Sequence, residues 1–186
     1  MTTIIISFPQ AAGGNHLKNI LVSDISKLQY TEPTVHQTPG EPNLQASQIE
    51  TALADPENTH VLHGHFGEIM SYQNQIRDIK NKKFIIICND NSQDHQLLSK
   101  RRKQLGYVDL KNGDYFEGEQ VFLYEPFMYH HYFNESLDNI MNIPISEWFV
   151  EDITSVINRI NYFLKINLNV DAVNKLHKIW YSKNFK

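Results

Sequence analysis

The chain has 186 residues, of which 41% are hydrophobic and 20% charged, with a formal net charge of −4 and an isoelectric point near 6.1. This length and composition predict one globular domain spanning residues 1–186. The acidic balance argues against nonspecific nucleic-acid binding, so we expect no nucleic-acid partner. The N-terminal run of three isoleucines is too short for a membrane helix or a signal peptide. We therefore expect no membrane association and a cytoplasmic location.

The N-terminal segment combines a short strand, a turn and a helix. The stretch from Thr3 to Leu21 begins with β-branched residues, passes through Gly13 and Gly14, and continues with apolar residues at helical spacing. The first N–H groups of such a helix and its dipole favour an anion in the turn, and glycines let the backbone approach it. The segment is not a Walker A loop, because Lys18 is followed by Asn19 rather than Ser or Thr. It predicts a phosphate- or sulfate-binding loop, with a plain turn between a core strand and a packing helix as the alternative.

The next predicted elements alternate between helix and strand. The first helix is expected from about Asn15 to Lys27, and a proline-rich segment, Tyr30–Gln45, predicts an irregular surface loop. A short helix over Gln48–Ala54, a strand entering a turn over Thr59–Phe66, and a helix or helical turn over Gly67–Lys80 follow. The continuous apolar run Phe84–Cys88 is typical of a central parallel strand buried on both faces. It ends at the single cysteine, which has no partner for an internal disulfide and fits a reducing compartment.

The second half continues the alternation. A helix is expected over Ser92–Leu105, and the stretch Gly106–Glu125 predicts an extended excursion or hairpin over the sheet, with its tip in an acceptor site. A group of aromatic residues is expected in the core, with substrate contact as the alternative: Tyr124, Phe127, Tyr129, Tyr132 and Phe133. The last elements expected are a strand, a turn and two helices, over Asn142–Ile145, Glu147–Phe149, Asp152–Leu164 and Val170–Trp180. This alternation predicts the α/β class, with three layers, a mostly parallel central sheet and helices on both faces.

Three motifs resemble those of one enzyme family. Phe8-Pro9, followed after a short gap by Gly13-Gly14-Asn15-His16-Leu17, resembles the 5′-phosphosulfate loop of the sulfotransferases that use 3′-phosphoadenosine 5′-phosphosulfate. His63-Gly64-His65-Phe66 resembles the Gly-His-Phe step at the end of the family's second strand. Tyr162 to Leu168 resembles the aromatic-Leu-Gly-Leu segment near its C-terminus, with Lys165 in place of the Gly.

The resemblance implies a fold like that of sulfotransferases and P-loop nucleoside triphosphate hydrolases. It also implies transfer of a sulfuryl group from 3′-phosphoadenosine 5′-phosphosulfate to a hydroxyl of a small-molecule or glycan acceptor, without a metal. One side chain and the backbone N–H groups of the loop are expected to bind the 5′ end of the nucleotide: Gln10, in place of the family's Lys, with Gly13, Gly14, Asn15 and His16. The 3′-phosphate is expected near Ser99, with Asn91 where the family has Arg, and Arg101 as a nearby cation.

Three basic side chains are the catalytic candidates. His65 falls on the position at which the family deprotonates the acceptor hydroxyl. An imidazole suits this task because its ordinary pKa of ~6.5 leaves it mostly neutral and able to accept a proton. His63 lies where some relatives have Lys. Lys18, one turn into the first helix, is a candidate replacement for the Lys that Gln10 removes.

Simpler interpretations remain open for each of these features. A lone histidine is more often structural than catalytic. His63 and His65, at i and i+2 on a strand, form a competing metal pair, although no third ligand has recognisable spacing. The run Lys100 to Arg102 is also consistent with a solvated basic helix face. For the whole chain, the alternative is a non-catalytic nucleotide- or phosphate-binding protein, or a scaffold protein, with a degenerate sulfotransferase fold.

Overall fold

The computed structural model describes residues 2–9, 11–22, 44–89, 92–104 and 125–185. Within these ranges, four parallel strands form one sheet in the order β2-β1-β3-β4. They are β1 (Thr3–Ser7), β2 (Val61–Gly64), β3 (Lys82–Cys88) and β4 (Ile140–Pro144). The predicted α/β class with a parallel central sheet and helices around it is confirmed.

Strand β3 lies inside the sheet and is covered on both faces. Every residue from Phe84 to Cys88 is fully buried. Its side chains alternate between two cores, with Ile85 and Ile87 in one and Phe84 and Ile86 in the other. A strand packed on both faces needs a continuous apolar run, because neither set of side chains meets water.

Helices pack on both faces of the sheet. The face of Ile85 carries α1 (Gly14–Val22), α5 (Ser92–Gln104), α7 (Ile145–Trp148), α8 (Thr154–Leu164) and α9 (Val170–Phe185). The face of Phe84 carries α2 (Ala46–Ala54), α3 (Phe66–Ser71), α4 (Gln73–Asp78) and α6 (Glu125–Phe133). A 3-10 turn over Leu137–Asn139 leads into β4. The two chain ends therefore contribute helices to the same face.

The end of α8 adopts a left-handed backbone without glycine. Lys165, which follows the helix, has φ of 57° and ψ of 43°, a conformation that glycine usually supplies at this position. Asn161 closes the turn, since its side chain donates to the Leu168 carbonyl and accepts from the Leu168 N–H at 3.1 and 2.8 Å. These two hydrogen bonds stabilise the left-handed turn at Lys165, where a glycine would usually be found.

Several predicted boundaries differ from the structure. Residue 145 begins α7 rather than ending a strand, so the expected turn over 147–149 is largely helical. The helical segment after β2 is two helices that meet at Tyr72, and α9 continues past Trp180 to Phe185. Of the predicted aromatic core, Tyr129 and Phe133 are buried but Phe127 is 67% exposed.

Three predicted segments lie largely outside the described residues: residues 30–43 of the expected loop Tyr30–Gln45, residues 106–124 of the expected excursion Gly106–Glu125, and residues 23–27 at the predicted end of the first helix. Among the helices that are described, none combines the length and the apolarity needed to cross a membrane.

Candidate functional site

The carboxyl ends of the strands share one edge of the sheet. In the register of the sheet, Ser7 at the end of β1 lies beside Gly64 on one side and Ile86 on the other. The chain leaves β1 for β2 on one side and then returns to β3 on the other, so the strand order switches between β1 and β3. Ligands of open parallel α/β sheets bind at such a switch of strand order.

Buried polar atoms near this edge lack partners among the described residues. They are Ser7 Oγ at the end of β1 and both amide atoms of Asn89, which directly follows β3 and is 2% exposed. Buried polar groups are nearly always hydrogen-bonded, so unpartnered ones indicate a place for a ligand or water. The edge is therefore a candidate site on grounds that are independent of sequence resemblance.

His65 follows β2 at the same edge and immediately precedes α3. Its Nδ1 lies 3.0 Å from the backbone oxygen of Phe8, and its backbone N–H donates to Glu68 Oε2 at 2.7 Å. A carbonyl oxygen only accepts, so a hydrogen bond at this contact requires the proton on Nδ1, which leaves the lone pair of the neutral ring on Nε2. The half-buried ring is thus arranged to accept a proton at Nε2.

His63 and Lys18 lie together on the α1 side of β2. His63 is 3% exposed, and its Nδ1 has no partner in the described part of the chain. The pKa of His63 is lowered to about 4, chiefly by burial, with the positive charge of Lys18 and the neighbouring His65 acting in the same direction. His63 is therefore neutral at cellular pH. The structure brings together all three catalytic candidates.

The predicted anion loop owes its glycines to packing. Gly13 has φ of 78°, and a Cβ there would lie 2.8 Å from Trp180 Cζ2. A Cβ on Gly14 would lie 2.0 Å from the ring of Phe8. The carbonyl of Gly13 accepts from the N–H groups of His16 and Leu17 at 3.0 and 3.2 Å. Close packing therefore accounts for both glycines, whether or not an anion binds.

The His16 side chain packs and forms a hydrogen bond within the protein interior. Its ring stacks on Trp180, with centroids 4.4 Å apart and planes 3° from parallel, and it is 1% exposed. Its Nε2 lies 3.1 Å from His177 Nδ1, while His177 Nε2 donates to the Val150 carbonyl at 2.8 Å. Because Val150 can only accept, His177 Nδ1 is the acceptor and His16 Nε2 the donor. The backbone N–H and the side chain of His16 thus both bond within the protein, which does not favour the expected contact with a nucleotide.

These two rings are held neutral. Burial lowers the pKa of His16 well below its ordinary value, and the nearby His177 acts in the same direction. Burial also lowers the pKa of His177, to about 4, against the opposite effects of its bond to Val150 and of Asp152.

One of the residues expected at the 3′-phosphate is bonded to the C-terminal helix. Arg101 is buried against α9, where its guanidinium donates to the backbone and side-chain oxygens of Asn184 and lies 5.0 Å from the Phe185 ring centroid. Ser99 lies two turns into α5 and is half-buried. Gln10 and Asn91 lie outside the described residues. Arg101, the cation expected near the 3′-phosphate, is thus bonded to α9 instead.

The structure also shows supporting residues that the sequence did not indicate. Trp148 and Trp180 pack under the loop, and His177 bonds to His16 from the far end of the chain. Residues so distant in sequence give no local pattern that could identify them. Among the described residues, no group of three or more His, Cys, Asp or Glu side chains is placed to hold a metal ion.

Comparison of the chain with models of protein families, with curated proteins and with solved structures found no match.

Proposed function

We propose that this protein transfers a sulfuryl group from 3′-phosphoadenosine 5′-phosphosulfate to a hydroxyl of a small-molecule or glycan acceptor, with His65 as the general base. The observation that carries the proposal is the bond from His65 Nδ1 to the Phe8 carbonyl, which makes Nε2 an acceptor beside the glycine turn. An imidazole with an accepting nitrogen suits the deprotonation of an alcohol that lies within hydrogen-bond reach.

The proposed reaction is an in-line displacement. The acceptor oxygen attacks sulfur as Nε2 of His65 takes the hydroxyl proton, and the bond between sulfur and the bridging oxygen breaks to release 3′-phosphoadenosine 5′-phosphate. The N–H groups of Gly14 and Asn15 at the start of α1, together with the charge of Lys18, stabilise the negative charge on the leaving phosphate. Positioning and electrostatics supply most of the rate in such transfers.

A non-catalytic protein, either a nucleotide- or phosphate-binding protein or a scaffold protein, is the second candidate. The scaffold form is favoured by the glycine turn, because Phe8 and Trp180 fill the space beside Gly13 and Gly14. It is also favoured by Arg101, which donates to Asn184 of α9 rather than to a phosphate.

The test begins with binding of 3′-phosphoadenosine 5′-phosphate. A ligand at ~100 times its dissociation constant adds about 2.7 kcal/mol to the stability of the native state, so it raises the melting temperature. Adenosine serves as the control without phosphates. If the bisphosphate neither raises the melting temperature nor gives heat in calorimetric titration, the nucleotide-dependent function is wrong.

We then expect His65→Ala to reduce turnover of the phosphosulfate in the presence of hydroxyl acceptors by about 100- to 10,000-fold, because it removes the base. Affinity for the bisphosphate should change little, since the base contacts the acceptor side. The exposed His131 provides the matched control, His131→Ala. Binding without turnover in the unmodified protein would favour the non-catalytic candidate.

A further inference from the structure

Phe8 contacts both halves of the candidate site. Its backbone N–H donates to the Gly64 carbonyl at 3.3 Å, and its backbone oxygen accepts from His65 Nδ1 at 3.0 Å. Phe8 is thus bonded through its N–H to Gly64, the last residue of β2, and through its carbonyl to His65, the residue that follows. The position of this backbone decides where the His65 ring is held.

The side chain of Phe8 is enclosed by the same groups. Its ring is 4% exposed and lies edge-on to His65, with centroids 4.9 Å apart and planes at 64°, and it is roughly parallel to His63 at 6.1 Å. The opposite contact is Gly14, whose missing Cβ leaves the space that the ring occupies. The aromatic ring therefore fills the gap between the glycine turn and the two histidines.

We propose that Phe8 is the positioning residue for His65, with its ring seated on Gly14 and its carbonyl selecting the Nδ1–H tautomer. The catalytic role of this positioning rests on the proposed function, in which His65 accepts a proton at Nε2. The Nδ1–H tautomer is the one that leaves Nε2 able to do so. Positioning by Phe8 also links the loop to the base. Any shift of the turn at Gly14 moves the Phe8 ring and, with it, the carbonyl that orients His65.

The tautomer is measurable without substrate. Nitrogen NMR of the imidazoles at alkaline pH, with His65→Gln to assign the signal, distinguishes a protonated Nδ1 from a protonated Nε2. We expect His65 in the Nδ1–H form. Two other histidines calibrate the spectrum, because His130 Nδ1 bonds the Glu135 carbonyl at 2.6 Å and His60 Nε2 bonds the Asp55 carbonyl at 2.7 Å.

The decisive variants are Gly14→Ala and Phe8→Leu. Gly14→Ala pushes the Phe8 ring aside, and Phe8→Leu removes the ring while keeping an apolar side chain, so each should lower the Nδ1–H population of His65 at least two-fold. Gly67→Ala is the matched control, because it lies two residues from His65 and an added Cβ there meets no atom within 4 Å. The spectra of His130 and His60 should not change in any variant.

Two results would overturn the inference: an Nε2–H tautomer for His65 in the unmodified protein, or an unchanged Nδ1–H population in a folded Gly14→Ala or Phe8→Leu variant. If Gly14→Ala does not fold, the milder Phe8→Leu decides the matter alone. Failure of the bisphosphate to bind would refute the proposed sulfuryl transfer and leave the tautomer result intact, so the two ideas fail separately.

Discussion

The histidines near the glycine turn differ in what their ring nitrogens contact. His16, His63 and His177 are buried, and burial lowers the pKa of each. His65 is half-buried, and its Nδ1 contacts the carbonyl oxygen of Phe8. A general base needs an accepting nitrogen that a substrate can reach, and His65 meets this condition better than the three buried rings do. The sequence resemblance and the hydrogen-bond geometry therefore favour the same residue on separate grounds.

Replacing Lys18 tests how the charges of the site act on one another. In Lys18→Met the pKa of His63 should rise from about 4, because a positive charge that opposes protonation is removed. It should stay below the ordinary histidine value, since burial is the larger cause. Affinity for the bisphosphate should fall about 10- to 100-fold, the range expected for losing one hydrogen bond to a charged group. Proton NMR titration of His63 and calorimetry measure the two effects.

The exposed Lys80 supplies the control for this experiment, as Lys80→Met. A His63 pKa that does not change in Lys18→Met would show that Lys18 points away from β2. Lys18 would then be a poor replacement for the cation that the family's loop carries.

At the scale of elements, the sequence predicted what local patterns determine. The apolar run of β3 and the helical periodicity of α8 are properties of a few consecutive residues, so both elements were found. The turn before α1 was located, but the reason for its glycines was not. That reason is the close approach of Phe8 and of Trp180, which comes from the other end of the chain. Contacts of this kind leave no trace in local sequence.

The contact of α1 with α9 predicts a pH-dependent stability. The pKa values of His16 and His177 are lower in the folded protein than in the unfolded chain, so the unfolded chain binds protons first as the pH falls. Their contribution is complete above about pH 6.5 and is lost as the pH falls toward 4. In this window each such histidine costs about 1.4 kcal/mol per pH unit.

Urea unfolding at pH 7 and pH 5 measures this loss. His16→Gln keeps a donor for His177 and removes one titrating ring. Between pH 7 and pH 5, the free energy of unfolding of this variant should therefore fall less than that of the unmodified protein. His131→Gln, on an exposed histidine, should keep the original dependence. An equally steep decline in His16→Gln would mean that His16 is not responsible.

At the scale of the whole molecule, two cores on opposite faces of the sheet have different relations to the site. The core on the α1 side includes Trp148 and Trp180, which pack against the glycine turn. The core on the α6 side includes Phe84, Tyr129 and Phe133, whose rings pack against one another. The α/β class followed from alternating patterns along the chain. The packing of α1 and α9 on the same face of the sheet could not be predicted in this way, because it depends on which helices meet in three dimensions.

Because only one of the two cores packs against the glycine turn, a variant in each core should lose similar stability but differ in its affinity for the bisphosphate. Trp180→Ala and Phe133→Ala each remove a buried aromatic ring and should each cost about 3–5 kcal/mol. Trp180→Ala also leaves a gap under Gly13 and removes the ring on which His16 stacks, so the turn loses its support. Calorimetry at a temperature where both variants are folded should show weaker bisphosphate binding in Trp180→Ala than in Phe133→Ala. Equal losses would mean that the turn responds to general destabilisation and that α9 has no specific part in holding the site.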